Sequence, residues 1–432
     1  MCPSNVKRLS PLCRWQPGRR SRGYRLGITL PQILCCEPLL TPMLKPRHLF
    51  HPVRTLRTAR SLVSSNLLVR RSARAGKRRF AHDERYILQS VTDGFLPHTS
   101  EGTEDEALLQ RICTAYKKAV AQEGCASDIY QATGWWQQVR TRSLGPVMKA
   151  LLASDTKALH ALYRNFFRDS CSAGLISIPP GMAKAYFQGG MRDLHRHYYL
   201  QDVLQSIDYW RLQTEGRFAI KELAGPAIGN PFGAFIEGTL VESGAEYRHG
   251  CAQSIKDRLI DPASAVAEIG GGFGGMAYYL LRNQHGMRYI NFDVPESLAL
   301  AAYYLGTAFP ALKLLLFGEV EVTQRNIEQA DVILMPLSQL EVLPQNSVAL
   351  TFSAHAMSDL GNGAMAVYLQ QVERISQDAF LYIGHEKGHQ RLSATMAARA
   401  VPLQLVKSSG SDWNRHRSPE TREVETLYKP SH

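Results

Sequence analysis

The stretch that decides the fold is "AVAEIGGGFGGMAYYLL", residues 265–281. A short apolar run typical of a buried strand ends here in five glycines within six positions, and a helix-like segment follows. Glycine has no Cβ, so such a turn lets the backbone approach a ligand closely while the following helix offers its free N–H groups. The stretch therefore predicts a strand, a ligand-binding bend and a helix.

The sequence after residue 263 extends this pattern. Short apolar runs alternate with helical segments, and the runs are "AVAEIG", "YINFD", "DVILMP", "SVALTFS" and "AFLYIG". This alternation predicts an α/β fold with a Rossmann-like parallel sheet and helices on both faces. Ligands of such sheets bind beyond the carboxyl ends of the strands, where the glycines lie.

The glycine bend matches two motifs at once. Gly270, Gly272 and Gly275 satisfy G-x-G-x-x-G, the dinucleotide fingerprint. Glu268, Gly270, Gly272 and Gly274 satisfy [DE]-x-G-x-G-x-G, which resembles the first motif of S-adenosylmethionine-dependent methyltransferases. A tight turn without a ligand is the third alternative.

Two observations favour S-adenosylmethionine over NAD, and Asp293 supports a nucleoside ligand without choosing between the two cofactors. The carboxylate of Glu268 would attract an ammonium and a sulfonium but repel a pyrophosphate. Asp293, at the end of "RYINFD", is placed to accept hydrogen bonds from ribose hydroxyls, which both cofactors carry. The stretch "LPQNSVALTFSAHAMSDL" (343–360) reads as a short polar turn, a strand and a helix start, an order that resembles class I methyltransferases. A dehydrogenase pattern does not predict it.

Charge and periodicity divide the chain into three predicted parts. Residues 1–82 carry 18 of the 50 Lys and Arg but only one acid, Glu37, which leaves 32 basic and 37 acidic residues beyond them. We therefore expect a basic, disordered arm over 1–82, for which a transit peptide or an over-extended gene model are the alternatives. Helical spacing over 83–225 predicts a domain that covers the substrate, and 226–432 contains a connector and the cofactor-binding domain.

The cysteines and the apolar runs indicate a protein without a disulfide framework, a zinc site or a membrane-spanning helix. The eight cysteines show no C-x-x-C pair and no zinc spacing, which is typical of reduced, incidental thiols. Apolar runs of about 18 residues are absent, so we expect no membrane-spanning helix. We expect a cytoplasmic protein, with organelle targeting by the arm as an alternative, and a possible homo-oligomer.

Three segments together resemble a known family, the sugar O-methyltransferases of bacterial glycan clusters. They are "GPAIGNPFGAFIEG", "AEIGGGFGGMAYYL" and "NFDVPESLALAAYYLGTAFP", and the resemblance covers residues 180–432 well but not the arm. It implies S-adenosylmethionine as cofactor and a sugar or glycan as substrate. By resemblance to class I methyltransferases, Asp293 would hold the ribose and the bend the methionine part. The full set of expected cofactor-binding residues is Glu268, Gly270, Gly271, Gly272, Gly274, Asp293 and Ser353.

Candidates for the chemistry follow the later strands. Methyl transfer to an alcohol needs a positioned base, and His355 lies just after "VALTFS" in a stretch that resembles the "C-H-D-W-S-D-E" of plant O-methyltransferases. His385 is a second candidate base and Asp359 an alternative or an orienting partner. Asn230 and Glu237 are candidate substrate contacts. The acids show no metal-ligand spacing near these strands, so no metal is expected.

Other functions remain open from the sequence. One is an RNA methyltransferase that uses the basic arm, although the acidic body makes nucleic acid an unexpected partner. Another is an NAD-binding oxidoreductase. The third is a non-catalytic protein that retains a cofactor fold.

Overall fold

The computed structural model describes residues 67–98, 105–132, 134–176, 178, 182–283, 286–321, 323–415, 417 and 421–431. Most of the predicted basic arm, residues 1–66, lies outside this part of the chain. The side chain of Asp359 also lies outside it.

Helices fill the first part of the described chain and then alternate with strands. The early helices are α1 (67–79), α2 (Leu88–Gly94), α3 (Glu106–Cys125), α4 (Gly134–Arg142), α5 (Gly145–Ala153), α6 (Thr156–Tyr163), α7 (Ala183–Phe187) and α8 (Asp193–Gln213). The later helices are α9 (Ala245–Lys256), α10 (Gly275–Leu281), α11 (Pro295–Ala308), α12 (Gln324–Glu328), α13 (Asn362–Ile375) and α14 (Glu386–Arg399).

The strands form a hairpin and one large sheet. The hairpin consists of β1 (Gly233–Ile236) and β2 (Thr239–Glu242). The sheet strands are β3 (Ala265–Ile269), β4 (Arg288–Asp293), β5 (Leu314–Leu316), β6 (Val332–Pro336), β7 (Val348–Ala354), β8 (Ser376–His385), β9 (Leu403–Ser411) and β10 (Glu423–Pro430). The predicted Rossmann-like α/β fold class is thus confirmed.

The order of the sheet is β5-β6-β4-β3-β7-β8-β10-β9. Strands β3 to β8 pair in parallel, whereas β10 pairs antiparallel with both β8 and β9. From β3 the chain adds β4, the edge strand β5 and then β6 between them on one side, and it crosses to β7 on the other side. The carboxyl ends of β3 and β7 therefore border the switch point of the sheet, where open α/β sheets bind ligands.

Helix α3 is capped at its start and buries one apolar face. Asp105 caps the helix by accepting a hydrogen bond from the Leu108 backbone N–H at 2.9 Å. An apolar stripe at helical spacing is on the inside, with Leu109, Ile112 and Tyr116 buried. This stripe packs against α11.

The folded part of the chain starts earlier than predicted. Residues 67–79 are helical, and Val69, Ala73 and Phe80 are buried in the main core. A disordered arm reaching residue 82 is therefore wrong for its last part, because these apolar side chains have a core to pack against. The same apolar core also joins the helices before residue 225 to the sheet, so residues 225 and 226 do not separate two cores.

Within the described residues, no helix combines the length and the apolar character needed to cross a membrane.

Candidate active site

The bend between β3 and α10 depends on left-handed backbone. Gly270, Gly272 and Gly274 have φ angles of 82°, 59° and 84°. Side chains with a Cβ are disfavoured in this region, which explains the alternating glycines. Gly274 is also the residue from which α10 begins.

The space around the glycines of the bend differs, being filled at Gly270 and Gly271 and more open at Gly272. A Cβ at Gly270 would overlap the Cβ of Ala356, and a Cβ at Gly271 would lie 2.5 Å from the hydroxyl of Tyr289. At Gly272, the nearest atom to such a Cβ would be Leu175 Cδ2, at an ordinary 3.4 Å. Gly272 is thus the position in the bend at which an added side chain meets the least protein.

One face of β4 supports the bend. Tyr289, Asn291 and Asp293 alternate along the strand, which places them on the same face. The amide oxygen of Asn291 accepts a hydrogen bond from Gly271 N–H at 3.1 Å, and a carboxylate oxygen of Asp293 accepts one from Gly272 N–H at 2.8 Å. The hydroxyl of Tyr289 donates to Glu268 at 2.5 Å. The bend is therefore held by side chains from the neighbouring strand.

The two acids of the bend are buried, and burial disfavours their charged forms. Desolvation raises the pKa of Glu268 to about 8, against a smaller opposing effect of the hydrogen bond from Tyr289. Desolvation likewise raises the pKa of Asp293 to about 7, although the N–H groups of Val294 and Gly272 lower it. A cation beside these carboxyls would favour their ionised forms.

Replacing Glu268 with glutamine should stabilise the ligand-free protein at alkaline pH. A carboxyl whose pKa is raised by folding contributes stability below its unfolded pKa, near 4.5, and loses it as the pH rises through about 8. Glutamine stays neutral and its amide oxygen can still accept the Tyr289 hydrogen bond. We expect the free energy of unfolding at pH 8 to rise by roughly 2–4 kcal/mol, and the gain to shrink toward zero near pH 5.

Urea denaturation at pH 5 and pH 8 measures this difference. Glu237→Gln is the matched control, because that carboxyl is 51% exposed and should change stability by no more than about 0.5 kcal/mol at either pH. Equal stability of the wild type and Glu268→Gln at pH 8 would contradict the burial of a charged Glu268.

The bend has features suited to a cationic ligand with hydrogen-bonding groups. It offers a backbone without side chains beside two buried acids, and the amide Nδ2 of Asn291 is fully buried without a hydrogen-bond partner among the described residues. A buried donor of this kind is costly to leave unsatisfied. These features fit the predicted assignment of Glu268, Gly270, Gly271, Gly272, Gly274 and Asp293, which stays a prediction.

A second group of polar side chains lies at the carboxyl ends of β7 and β8. His355 follows β7 and His385 ends β8, and their ring centroids are 5.1 Å apart. Nε2 of His355 lies 3.4 Å from Oε1 of Glu423, the first residue of β10. We call His355, His385 and Glu423 the histidine–glutamate cluster.

Glu423 was missed by the sequence analysis. It reaches the cluster because β10 pairs with β8 in a register that sets Glu423 opposite His385. Its carboxylate is buried and accepts a hydrogen bond from Asn414 Nδ2 at 2.8 Å. The sequence around it shows only a strand-like alternation, so no local signal distinguishes this glutamate from a surface one.

The backbone at His355 is unusual. Its φ of 64° and ψ of −31° lie in a region that residues other than glycine rarely adopt. The conformation is held by a hydrogen bond from His355 N–H to the carbonyl of Ile383, at 2.8 Å. Strained backbone of this kind persists where surrounding structure fixes it and is common at functional sites.

Two other predicted residues form hydrogen bonds within the protein. The hydroxyl of Ser353, fully buried, donates to the carbonyl of Ile269 at 3.0 Å and so joins β7 to β3. Asn230 is buried and uses its amide to hold His98 N–H and Asn165. Both side chains thus have partners within the protein, and the cofactor contact at Ser353 and the substrate contact at Asn230 stay predictions.

The last two predicted residues, Glu237 and Asp359, lie in a hairpin turn and at the end of a short helix. Glu237 sits in the turn between β1 and β2, where it forms an exposed ion pair with Arg211 at 3.0 Å, and its substrate contact stays a prediction. Asp359 ends the short 3-10 helix Ala356–Asp359, and its role as a base or orienting partner stays a prediction.

Comparisons with known proteins give only weak similarity. No protein-family model and no curated protein matches the chain. Among solved structures, a geranyl diphosphate C-methyltransferase from Streptomyces coelicolor A3(2) is 12% identical, with a TM-score of 0.30 over 42% of this chain and 75% of that one. A putative sarcosine dimethylglycine methyltransferase from Galdieria sulphuraria is 12% identical, with a TM-score of 0.33 over 52% of this chain and 98% of that one. The [4+2]-cyclase SpnF is 9% identical, with a TM-score of 0.33 over 44% and 82% of the two chains. Similarity at these levels carries no argument about what this chain binds or does.

Proposed function

We propose that this protein is an S-adenosylmethionine-dependent O-methyltransferase that methylates a hydroxyl of a sugar or glycan. The observation that carries the proposal is the adjacency of two groups of residues at one edge of the sheet. The glycine bend with its two buried acids touches Ala356, and Ala356 directly follows His355 of the histidine–glutamate cluster. A methyl donor and a hydroxyl acceptor would therefore lie side by side.

The bend would hold the donor. The acids Glu268 and Asp293 suit its positive charge, and each carboxylate oxygen of Asp293 retains a lone pair for the ribose hydroxyls after accepting its backbone hydrogen bond. The free amide of Asn291 adds a donor. When bound, S-adenosylmethionine supplies an electrophilic methyl group on a sulfonium sulfur.

The histidine–glutamate cluster would activate the acceptor. A sugar hydroxyl is a weak nucleophile at neutral pH and must lose its proton as the new bond forms. His355 is partly exposed, with 32% of its side chain accessible, whereas Glu423 beside it is buried and anchored. An exposed imidazole held by an anchored carboxylate can contact a substrate without losing its orientation. His385 lines the same edge.

The sugar is the part of the proposal that rests on the family resemblance. Two aromatic rings pack next to the cluster, of which Trp413 belongs to the buried apolar core. The ring of Tyr247 lies 6.5 Å from that of His355 and 5.4 Å from that of Trp413. Because Trp413 is buried, this contact is core packing, and the sugar assignment rests on the resemblance alone.

Calorimetric titration with S-adenosylmethionine, S-adenosylhomocysteine and NAD⁺ tests the donor site. We expect both adenosyl ligands to bind one per chain and NAD⁺ to bind much more weakly, because Glu268 repels a pyrophosphate when ionised and offers it no countercharge when neutral. Tighter binding of NAD⁺ would contradict the proposal and favour an oxidoreductase.

A labelled methyl group then tests the acceptor. The protein and labelled S-adenosylmethionine are incubated with free sugars, nucleotide-linked sugars, glycans and RNA. We expect label in a sugar hydroxyl, seen as a mass increase of one methyl group replacing a hydrogen. Label in RNA alone would contradict the sugar assignment and support an RNA methyltransferase.

A further inference from the structure

We propose that the histidine–glutamate cluster binds one divalent transition-metal ion, of the Zn²⁺ class, and that this ion activates the acceptor hydroxyl. The inference deepens the proposed function and rests on it for the role of the ion, but not for its binding. The sequence predicted no metal and a histidine that acts alone as the base. The inference replaces both predictions with a metal-bound acceptor.

The donor set and its spacing suit such an ion. Ligand atoms of His355, His385 and Glu423 all lie within 4.8 Å of one another. Two ligands on a tetrahedral zinc ion, each at 2.0–2.1 Å, would be about 3.3 Å apart. The distance from His355 Nε2 to Glu423 Oε1 is 3.4 Å, so this pair already has that spacing. Two imidazoles and one carboxylate form a common catalytic ligand set that leaves a position open.

The charge balance around Glu423 favours a cation at the cluster. The side chain of Glu423 is 3% exposed, and among the described residues no lysine or arginine forms an ion pair with it. The nearby Arg417 pairs with Asp202, with an Nη2–Oδ2 distance of 2.6 Å, so that it and the cluster histidines offset the charge of Glu423 only in part. A buried carboxylate needs a compensating positive charge or a bound metal. A divalent ion would supply that charge.

Hydrogen bonds from residues outside the ligand set orient the carboxylate of Glu423, as is usual at metal sites. Asn414 Nδ2 donates to Oε1 of Glu423 at 2.8 Å, and the hydroxyl of Ser411 donates to Oε2 at 3.4 Å. Hydrogen bonds of this kind orient ligands and tune the affinity of metal sites. The ligands also come from the ends of three strands, which is a rigid support.

The chemistry balances without a further reactant. The acceptor hydroxyl would occupy the open position of the ion, which lowers the pKa of a bound O–H group and lets its proton leave to solvent. The oxygen then forms the new C–O bond as the C–S bond of the sulfonium breaks. The products are the methyl ether, the neutral thioether of the donor and one proton.

Metal binding is tested directly on the full-length protein. The chain is stripped with a chelator, shown to be metal-free by elemental analysis, and titrated with Zn²⁺. We expect one Zn²⁺ per chain to bind tightly, with His385→Ala and Glu423→Gln each weakening the affinity by about 100-fold or more. His389→Ala is the matched control, since this half-buried histidine on α14 contacts Tyr428 rather than the cluster and should bind as the wild type does.

Two further measurements separate the possible failures. Co²⁺ substitution should give the visible absorption of a low-symmetry site in the wild type and His389→Ala but not in Glu423→Gln. Equal Zn²⁺ affinity of the wild type and both cluster variants, with unchanged thermal stability, would overturn the inference. Full methyl transfer by the stripped protein would also overturn it while the proposed function survives. Failure of S-adenosylmethionine to bind would instead overturn the proposed function and leave the zinc titration valid.

Discussion

His355→Ala should lower the rate of methyl transfer by about 10³-fold while S-adenosylmethionine binds almost as tightly as before. The side chain of His355 lies in the histidine–glutamate cluster, whereas the donor would contact the bend and β4. Removing the imidazole therefore takes away activation of the acceptor and leaves the donor site intact. Turnover under saturating donor, together with calorimetric affinity for the donor, measures the two effects separately.

The stability of this variant should fall by about 1–2 kcal/mol, because His355 is two-thirds buried and its loss removes a partner of the buried Glu423. His389→Ala serves again as the control and should retain wild-type turnover. A His355→Ala protein that turns over normally would remove the cluster from the reaction. A variant that loses donor affinity in parallel with turnover would show that His355 supports the bend instead of the acceptor.

Gly272→Asp should abolish detectable donor binding, with a loss of affinity of at least 100-fold. A Cβ at this glycine points toward the least crowded part of the bend, near Leu175 alone, so a longer side chain would occupy the space that the donor needs. The new carboxylate would also lie close to Asp293, which already accepts a hydrogen bond from Gly272 N–H. Aspartate tolerates left-handed backbone better than most residues, so the fold should survive.

Gly272→Ala is the matched control for backbone strain. Its added methyl would meet Leu175 Cδ2 at 3.4 Å, an ordinary contact, and we expect its affinity for the donor to fall by no more than about 10-fold, since strain at such a position costs on the order of 1 kcal/mol. Calorimetry on both variants, with circular dichroism to verify folding, makes the comparison. Wild-type affinity in Gly272→Asp would show that the donor does not approach the bend.

The parts of the molecule that follow from local pattern could be predicted from the sequence. The parallel strands, the glycine bend and the buried stripe of α3 depend on neighbours within a few positions, and the structure has them as expected. Tyr289 and Asn291 could also have been found, because they alternate with Asp293 on one strand and must share its face.

Residues whose role depends on long-range pairing could not be predicted. Glu423 meets His385 only through the register of two antiparallel strands, and no spacing in the sequence reveals it. The partners of Asn230 and Ser353 were equally hidden from the sequence. Their side chains form hydrogen bonds with backbone and side-chain groups distant in the chain, while their predicted ligand contacts stay predictions.

Strand β10 completes the histidine–glutamate cluster, because it carries Glu423. This strand follows all the other described strands in the chain, yet it lies between β8 and β9 and provides the only sheet pairing of β9 within the described residues. The two histidines can therefore be brought together by parallel strands made earlier, but the carboxylate joins them only when the last strand inserts. Local fraying of β10 would dismantle the cluster while the glycine bend stays folded, so hydrogen exchange in this one strand should report on competence for acceptor activation.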